Sequence, residues 1–165
     1  MFKAKIGVYK LDAADNDRAL AGAMFEVRDA SGKLFDTIKT NDKGYAETIE
    51  IPVGIYKVKE IAPPAGFILS DEVKTITLTT EDKETAVFER TNKANEVTLT
   101  KTDLTTSAPV PGATVEIYGK DGKLFYKGVT DKDGKITMKE LPAGEYTFKA
   151  VSYTHLRAHE TLSDL

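Results

Sequence analysis

The chain carries one sequence pattern twice, with the two copies about 90 residues apart. A fixed period indicates a duplicated unit, and a period of this length suits one small globular domain better than a solenoid repeat. The sequence therefore predicts two tandem copies of one domain, the second of them incomplete. The matching segments are Lys10-Leu11-Asp12 with Lys101-Thr102-Asp103, Gly22-Ala23 with Gly112-Ala113, Gly32-Lys33 with Gly122-Lys123, Thr40 to Gly44 with Thr130 to Gly134, and Gly54-Ile55-Tyr56 with Gly144-Glu145-Tyr146.

The composition excludes several classes of protein. Charged residues make up 30% and hydrophobic residues 41% of the chain, which is typical of a folded globular protein. The net charge of -3 mixes both signs without a basic stripe, so nucleic acid is not an expected partner. No apolar run approaches the roughly 18–20 residues that cross a bilayer, and no signal peptide is expected at the start. The chain has no cysteine, which excludes disulfides, and neither a metal site nor a cofactor is predicted.

Alternation of apolar and polar residues with period two dominates the sequence, which predicts short strands and no sustained helix. Turn residues separate the strands, as in residues 29–32 and 41–44. The prolines in residues 62–66 predict an irregular segment, because proline cannot serve a central ladder. Residues 73–79 and 85–91 are expected to form a final hairpin across residues 81–83. Strands and turns at this spacing favour an antiparallel β-sandwich.

The predicted boundaries follow from the repeat. Domain 1 covers residues 1–92, a linker covers 93–96, and a truncated domain 2 covers 97–150. Residues 151–161 resemble the in-frame translation of a transposase-type sequencing-library adapter. We therefore interpret residues 151–165 as a non-native tail and exclude them from functional reasoning.

Four longer motifs stand at characteristic spacings. They are Val-Tyr-Lys-Leu-Asp at 8–12, Leu-Ala-Gly-Ala-Met-Phe-Glu-Val at 20–27, Gly-Tyr-Ala at 44–46, and Val-Gly-Ile-Tyr-Lys-Val-Lys-Glu-Ile-Ala-Pro-Pro-Ala-Gly-Phe at 53–67. Together they resemble the CnaB-type (SpaA-like, prealbumin-like) repeat domains of Gram-positive surface adhesins and pilins. The resemblance implies an all-β fold of tandem prealbumin-like (reverse immunoglobulin-like) Greek-key β-sandwiches, the second truncated.

Many members of that family form an intramolecular isopeptide bond between a lysine in the first strand and an asparagine or aspartate in the last, assisted by a glutamate. The resemblance assigns these roles to Lys10, Glu60 and Asn92, with Asn95 as an alternative acceptor. Burial beside Ile6 and Val8 would favour the uncharged, nucleophilic form of a lysine. A protonated carboxyl in the same pocket can polarise the amide and relay protons. The expected chemistry is a single-turnover maturation, so the chain is not expected to be an enzyme.

Ordinary alternatives compete with each assignment. In the alternative interpretation, Lys10 is an edge lysine that reaches solvent, Glu60 is a solvated charge at a strand end, and Asn92 is a linker residue. Asp12 is expected to cap a turn rather than act as an acid. In the second copy Lys101 is the equivalent lysine, but Ala150 stands where the glutamate should be, so this copy is not expected to form the bond.

The predicted function is that of a structural stalk or spacer in an extracellular, cell-wall-anchored adhesin or pilus-like protein, a location that rests on the resemblance. Neighbouring repeats of the same protein are the expected partners. The alternative is a module that binds a host extracellular protein or carbohydrate, for which an exposed row of aromatic residues would be needed. The segment Asp131-Lys132-Asp133-Gly134 echoes part of a calcium loop but is interpreted as a hairpin turn.

Overall fold

The computed structural model describes residues 2–81 and 84–152, with side chains described as far as residue 150. The chain divides into two compact units, Met1–Asn95 and Glu96–Leu165. The described residues contain fifteen strands, ten of them in the first unit. These ten are β1 Lys3–Ala4, β2 Ile6–Asp12, β3 Asp15–Ala19, β4 Met24–Asp29, β5 Leu34–Lys39, β6 Tyr45–Glu47, β7 Ile51–Pro52, β8 Gly54–Ala62, β9 Val73–Leu78 and β10 Ala86–Asn92.

The first unit contains two four-stranded sheets and a two-stranded sheet of β1 and β7. One four-stranded sheet has the order β10-β2-β3, with β6 also paired to β2, and the other has the order β5-β4-β8-β9. Apolar side chains from these sheets build one core, as in a β-sandwich. The buried core residues are Ala4, Ile6, Val8, Ala23, Phe25, Val27, Ile38, Ala46, Ile51, Tyr56, Val58 and Leu78.

The alternation along the strands decides which side chains enter this core. In β8 the residues Tyr56, Val58 and Glu60 are buried, while Lys57 and Lys59 between them are exposed. In β2 the residues Ile6, Val8 and Lys10 are likewise buried. The period of two therefore carries two ionisable side chains, Lys10 and Glu60, into the interior together with their apolar neighbours.

The expected hairpin between residues 73–79 and 85–91 is wrong. Strand β9 pairs antiparallel with β8 in one sheet, whereas β10 pairs parallel with β2 in the other. Turn residues indicate that the chain changes direction, but they do not indicate which sheet the next strand joins. The inward-facing Ala86 and Phe88 of β10 pack against the core. This crossing also makes the sandwich mixed rather than wholly antiparallel.

The second unit repeats part of this architecture. Its strands are β11 Glu96–Thr100, β12 Thr114–Gly119, β13 Leu124–Val129, β14 Lys135–Lys139 and β15 Tyr146–Ser152. Strands β11 and β14 pair with each other, and β13, β12 and β15 form a separate sheet. The hydrogen bond that Lys10 N donates to the Gly44 carbonyl recurs from Lys101 N to the Gly134 carbonyl. The repeat in the sequence is thus a repeat in structure.

Of the predicted tail, only residues 151 and 152 have a described backbone, at the end of β15; residues 153–165 lie outside the described part of the chain. Among the described residues, no helix has the length and apolar character needed to cross a membrane.

The turn glycine Gly44 is the fold's most restrictive backbone position near Lys10. Its φ is +73°, and an added Cβ would lie 2.7 Å from the Lys10 carbonyl oxygen. At Gly22, with φ of +90°, an added Cβ meets nothing within 4 Å. We expect Gly22→Ala to lower the free energy of unfolding by about 1–2 kcal/mol through backbone strain alone. Gly44→Ala should cost clearly more, because it adds a steric clash with backbone.

The measurement is urea unfolding of the full chain, monitored through the NMR resonances of the first unit. Equal losses in the two variants would show that the close contact between Gly44 and Lys10 does not constrain the fold.

Candidate functional site

Lys10 is completely buried, with 0% of its surface exposed. It lies near the end of β2, opposite Arg90 of the parallel strand β10. Its Nζ atom stands 5.5 Å from the centroid of the Phe25 ring, on the facing sheet. The structure thus places Lys10 in the core and excludes the interpretation as an edge lysine that reaches solvent.

Glu60 reaches the same place from the opposite sheet. It lies in β8, opposite Phe25 of β4, and is 2% exposed. Its Oε1 atom is 3.0 Å from Lys10 Nζ. At this distance the carboxylate and the ammonium form a buried ion pair. A buried carboxylate and a buried amine therefore meet between the two sheets.

Asn92, the last residue of β10, completes the cluster. It is 2% exposed, and its Nδ2 donates hydrogen bonds to Glu60 Oε2 at 2.9 Å and to the Ile68 carbonyl at 2.8 Å. Asn95, the alternative acceptor, is half-buried, and its backbone N–H donates to the Gly66 carbonyl. The structure brings Lys10, Glu60 and Asn92 together in one pocket.

Burial sets the electrostatics of the lysine. It lowers the pKa of Lys10, because removal from water disfavours the ammonium form. The Glu60 carboxylate opposes this effect, while the cationic Arg90 adds to it. Arg90 shares the inward parity of Asn92 and is partly buried; its Nε atom lies 3.5 Å from Glu72 Oε2 at the margin of the core. That ion pair explains how an arginine is accommodated on this face of β10.

Asn92 Oδ1 is buried and accepts no hydrogen bond from any described residue, while Glu60 Oε1 is buried against the Lys10 ammonium at 3.0 Å. A buried acceptor without a donor costs about 1–3 kcal/mol. Such groups are rare in folded proteins and call for a specific explanation. The pocket is therefore costly for the fold as long as its three side chains remain separate.

Two main-chain groups of the site were not predicted from the sequence. The N–H of Ser70 donates to Glu60 Oε2 at 2.7 Å, and the carbonyl of Ile68 accepts from Asn92. Both belong to the connection between β8 and β9. Backbone groups give no signal in the residue types, and the irregular segment that the prolines predict, residues 62–66, ends before both of them.

The second unit preserves the lysine of this site but not the glutamate. Lys101 is buried at the position that corresponds to Lys10. Ala150 of β15 lies opposite Val115, as Glu60 lies opposite Phe25 in the first unit. The register thus places Ala150 where the first unit has its carboxylate.

Other predicted features are turns. Asp12 accepts a hydrogen bond from Ala14 N at 2.9 Å, which is the capping contact expected of it. Asp131 accepts from Asp133 N and Lys135 N in the turn before β14, and these backbone hydrogen bonds lower its pKa. The segment from Asp131 to Gly134 is therefore a hairpin turn.

The fold is that of a prealbumin-like domain. The sequence matches the SpaA prealbumin-like fold domain over residues 4–94 and again over residues 95–153. The chain therefore belongs to this family, as its motifs indicate.

The similar proteins include a surface protein and a pilin subunit. A trypsin-resistant surface T6 protein of Streptococcus pyogenes serotype M6 is 38% identical over 77 residues, which span 47% of this chain and 14% of that protein. The structure of the Bacillus anthracis TIE protein is 36% identical, with a TM-score of 0.61, over 97% of this chain and 30% of that chain. The chain thus spans less than a third of either relative. BcpA, the major pilin subunit of Bacillus cereus, shares the fold at 11% identity and a TM-score of 0.50, over 99% of this chain and 93% of that chain.

These relationships make the chain a structural module of the kind that builds pilus and surface proteins, and they indicate a location at the cell surface.

The lowered pKa of Lys10 predicts a pH dependence of stability. The Asn92→Ala variant keeps Lys10 as a free amine whatever chemistry the pocket supports. Between the lowered pKa of folded Lys10 and the ordinary value of 10.5, the unfolded chain binds more protons than the folded chain. The free energy of unfolding should therefore rise as the pH rises through this window.

The measurement is urea unfolding of Asn92→Ala at a series of pH values, with the double variant Lys10→Met/Asn92→Ala as control. The control should lack this rise. Identical pH profiles would show that Lys10 is not desolvated in the folded state.

Proposed function

We propose that the first unit cross-links itself through an amide between Lys10 and Asn92, with Glu60 as the proton shuttle, and that the chain serves as a stalk or spacer. One observation carries this proposal. In a single buried pocket, Glu60 lies 3.0 Å from the Lys10 nitrogen through one oxygen and 2.9 Å from the Asn92 nitrogen through the other. An amine, an amide and a carboxyl that bridges them are the groups that amide exchange requires.

The exchange balances in protons and bonds. Glu60 Oε1 takes one proton from the Lys10 ammonium, which leaves a neutral amine with a free electron pair. That amine attacks Asn92 Cγ to form the new C–N bond, and the bond from Cγ to Nδ2 breaks. The departing nitrogen receives a proton by way of the Glu60 carboxyl and leaves as ammonia. Lys10 Nζ sheds two protons in all: one completes the departing ammonia, and the other stays on Glu60, which ends as a neutral carboxylic acid.

The reaction would relieve the cost of the pocket. A buried ion pair pays a large desolvation penalty that its mutual attraction often fails to offset. Amide formation removes the lysine charge and turns the acceptor amide into part of a neutral linkage. By the loop-entropy estimate used for disulfides, a link that closes roughly 80 residues adds about 4–5 kcal/mol. Unlike a disulfide, the amide is not reducible.

The position of the link suits a stalk. Lys10 lies in β2 and Asn92 ends β10, which pairs parallel to β2 along its whole length. A covalent bond between these strands would carry tension directly from one to the other, past the chain between them. The reaction occurs once per molecule, so we assign no enzymatic turnover to the chain.

This role implies particular partners and a particular location. We place the stalk in a cell-wall-anchored adhesin or pilus-like protein, where neighbouring repeats of the same protein are its main partners. The relatives are described as a surface protein and a pilin subunit, which supports this assignment.

Binding of a host protein or carbohydrate is the rival function. That function needs an exposed row of aromatic residues. Tyr56 and Phe67 are buried, and Tyr9 and Tyr45 pack against each other across β2 and β6.

Intact mass tests the cross-link. We expect the full chain to be lighter than its sequence mass by one ammonia, because Asn92 loses its side-chain nitrogen. The Glu60→Ala and Lys10→Met variants should retain their full sequence masses, since each lacks a group that the exchange requires. The measurement is mass spectrometry of the denatured, purified chain.

Lys101→Met is the matched control. It removes the other buried lysine, whose unit has Ala150 in place of a glutamate, and it should show the same loss of ammonia as the unaltered chain. Full mass in the unaltered chain would make Lys10 and Glu60 an ordinary buried pair. A loss that disappears only in Lys101→Met would place the reaction in the second unit.

A further inference from the structure

The connection between β8 and β9 closes over the pocket. We call residues 63–70 the cover loop. Phe67 forms an isolated antiparallel bridge with Ala94, and Ile68 N donates to the Lys93 carbonyl at 2.8 Å. Asn95 N donates to the Gly66 carbonyl at 2.9 Å. The cover loop is therefore tied to the chain that directly follows Asn92.

The cover loop also fixes two of the three side chains of the site. Its Ser70 N–H and the Asn92 amide both donate to Glu60 Oε2, at 2.7 and 2.9 Å. Its Ile68 carbonyl accepts the second hydrogen bond from Asn92 Nδ2. Nδ2, the nitrogen that must leave, is thereby held between Ile68 and Glu60. The loop thus determines which atom of the amide faces the proton shuttle.

Three side chains connect the cover loop to the neighbouring strands: Phe67 of the loop, Arg18 and Asp12. We call these three residues the clasp. The Phe67 ring is buried, at 6% exposure, and the Arg18 guanidinium lies 5.7 Å from its centroid. Arg18 Nη1 is 3.3 Å from Asp12 Oδ2, and Asp12 lies opposite Asn92 in the pairing of β2 with β10. The clasp therefore joins the loop to the strands that carry Lys10 and Asn92.

We propose that Arg18 and Phe67 are positioning residues for the cross-linking reaction, which they accelerate by holding the cover loop closed. This inference rests on the proposed function. With the loop closed, Ile68 and Ser70 align the amide and the carboxyl, and water is kept from the Lys10 amine. Because a misplacement of about 1 Å can slow a reaction a hundredfold, loss of the clasp should be visible in the rate.

The test follows the reaction in time. The full chain is made by cell-free translation, synthesis is stopped, and intact mass is recorded at intervals to give the rate of ammonia loss. We expect Phe67→Ala and Arg18→Met to slow this loss by at least about tenfold. Phe67→Tyr and Arg18→Lys, which keep the ring and the cation, should restore most of the rate.

Matched controls separate positioning from general destabilisation. Phe35→Ala removes a ring that packs edge-to-face on Tyr56 in the same unit, and Arg28→Met breaks the ion pair with Glu26 on the other sheet. Both controls should react at nearly the unaltered rate. The free energies of unfolding of Phe67→Ala and Phe35→Ala are compared in a Lys10→Met background, which cannot form the cross-link. This comparison shows whether the two substitutions destabilise the unit equally. Arg18 is about half exposed, so Arg18→Met should fold even if Phe67→Ala does not.

Three outcomes decide the matter. Slow reaction confined to the clasp variants, with rescue by the conservative ones, supports the proposal. Unaltered rates in the clasp variants, or equal slowing in the controls, overturn it while the cross-link itself stands. If the unaltered chain loses no ammonia at all, the proposed function fails, and the role of the clasp fails with it.

Discussion

The buried contact between Lys10 and Glu60 is the interaction around which the candidate site of the first unit is built. Its two partners come from different sheets, so their 3.0 Å separation ties the layers of the sandwich together at one end. An ion pair inside a protein is weak support for stability, because desolvation offsets its attraction. The surrounding structure nevertheless holds both groups in place: Phe25 lies beside the amine, and Ser70 and Asn92 donate to the carboxyl. In the function that we propose, this costly pair is the state before reaction, and the amide between Lys10 and Asn92 is the product.

Much of this could be predicted because the information lies in residue types and their spacing. The alternation in β2 and β8 predicts that Lys10 and Glu60 face inward with Val8 and Val58, and both are buried. The repeat predicts two related units, and the equivalent hydrogen bonds of Gly44 and Gly134 follow from it. The family of the chain was recognised from the same motifs, and the match over both copies confirms it.

The rest depends on partners that a local pattern does not specify. Strand β10 has the alternation of a hairpin arm, yet it leaves β9 and pairs parallel with β2, because the choice of sheet is decided by tertiary packing. That choice brings Asn92 beside Lys10 and accounts for the inward parity of Arg90. Of the cover loop, only residues 63–66 lie in the segment that the prolines predict to be irregular. The loop's contribution comes from the N–H of Ser70 and the carbonyl of Ile68, which any residue other than proline could supply once Phe67 and Arg18 hold the loop in position.

The central claim is a covalent bond between two named atoms, and peptide mapping tests it most directly. The full chain is digested under denaturing conditions and the fragments are sequenced by tandem mass spectrometry. The account predicts a branched fragment in which the peptide with Lys10 is joined to the peptide with Asn92, short of one ammonia, with Asn95 and Lys101 unmodified. Separate, unmodified peptides containing Lys10 and Asn92 would contradict it, and a branch at Asn95 would show that the acceptor is misassigned.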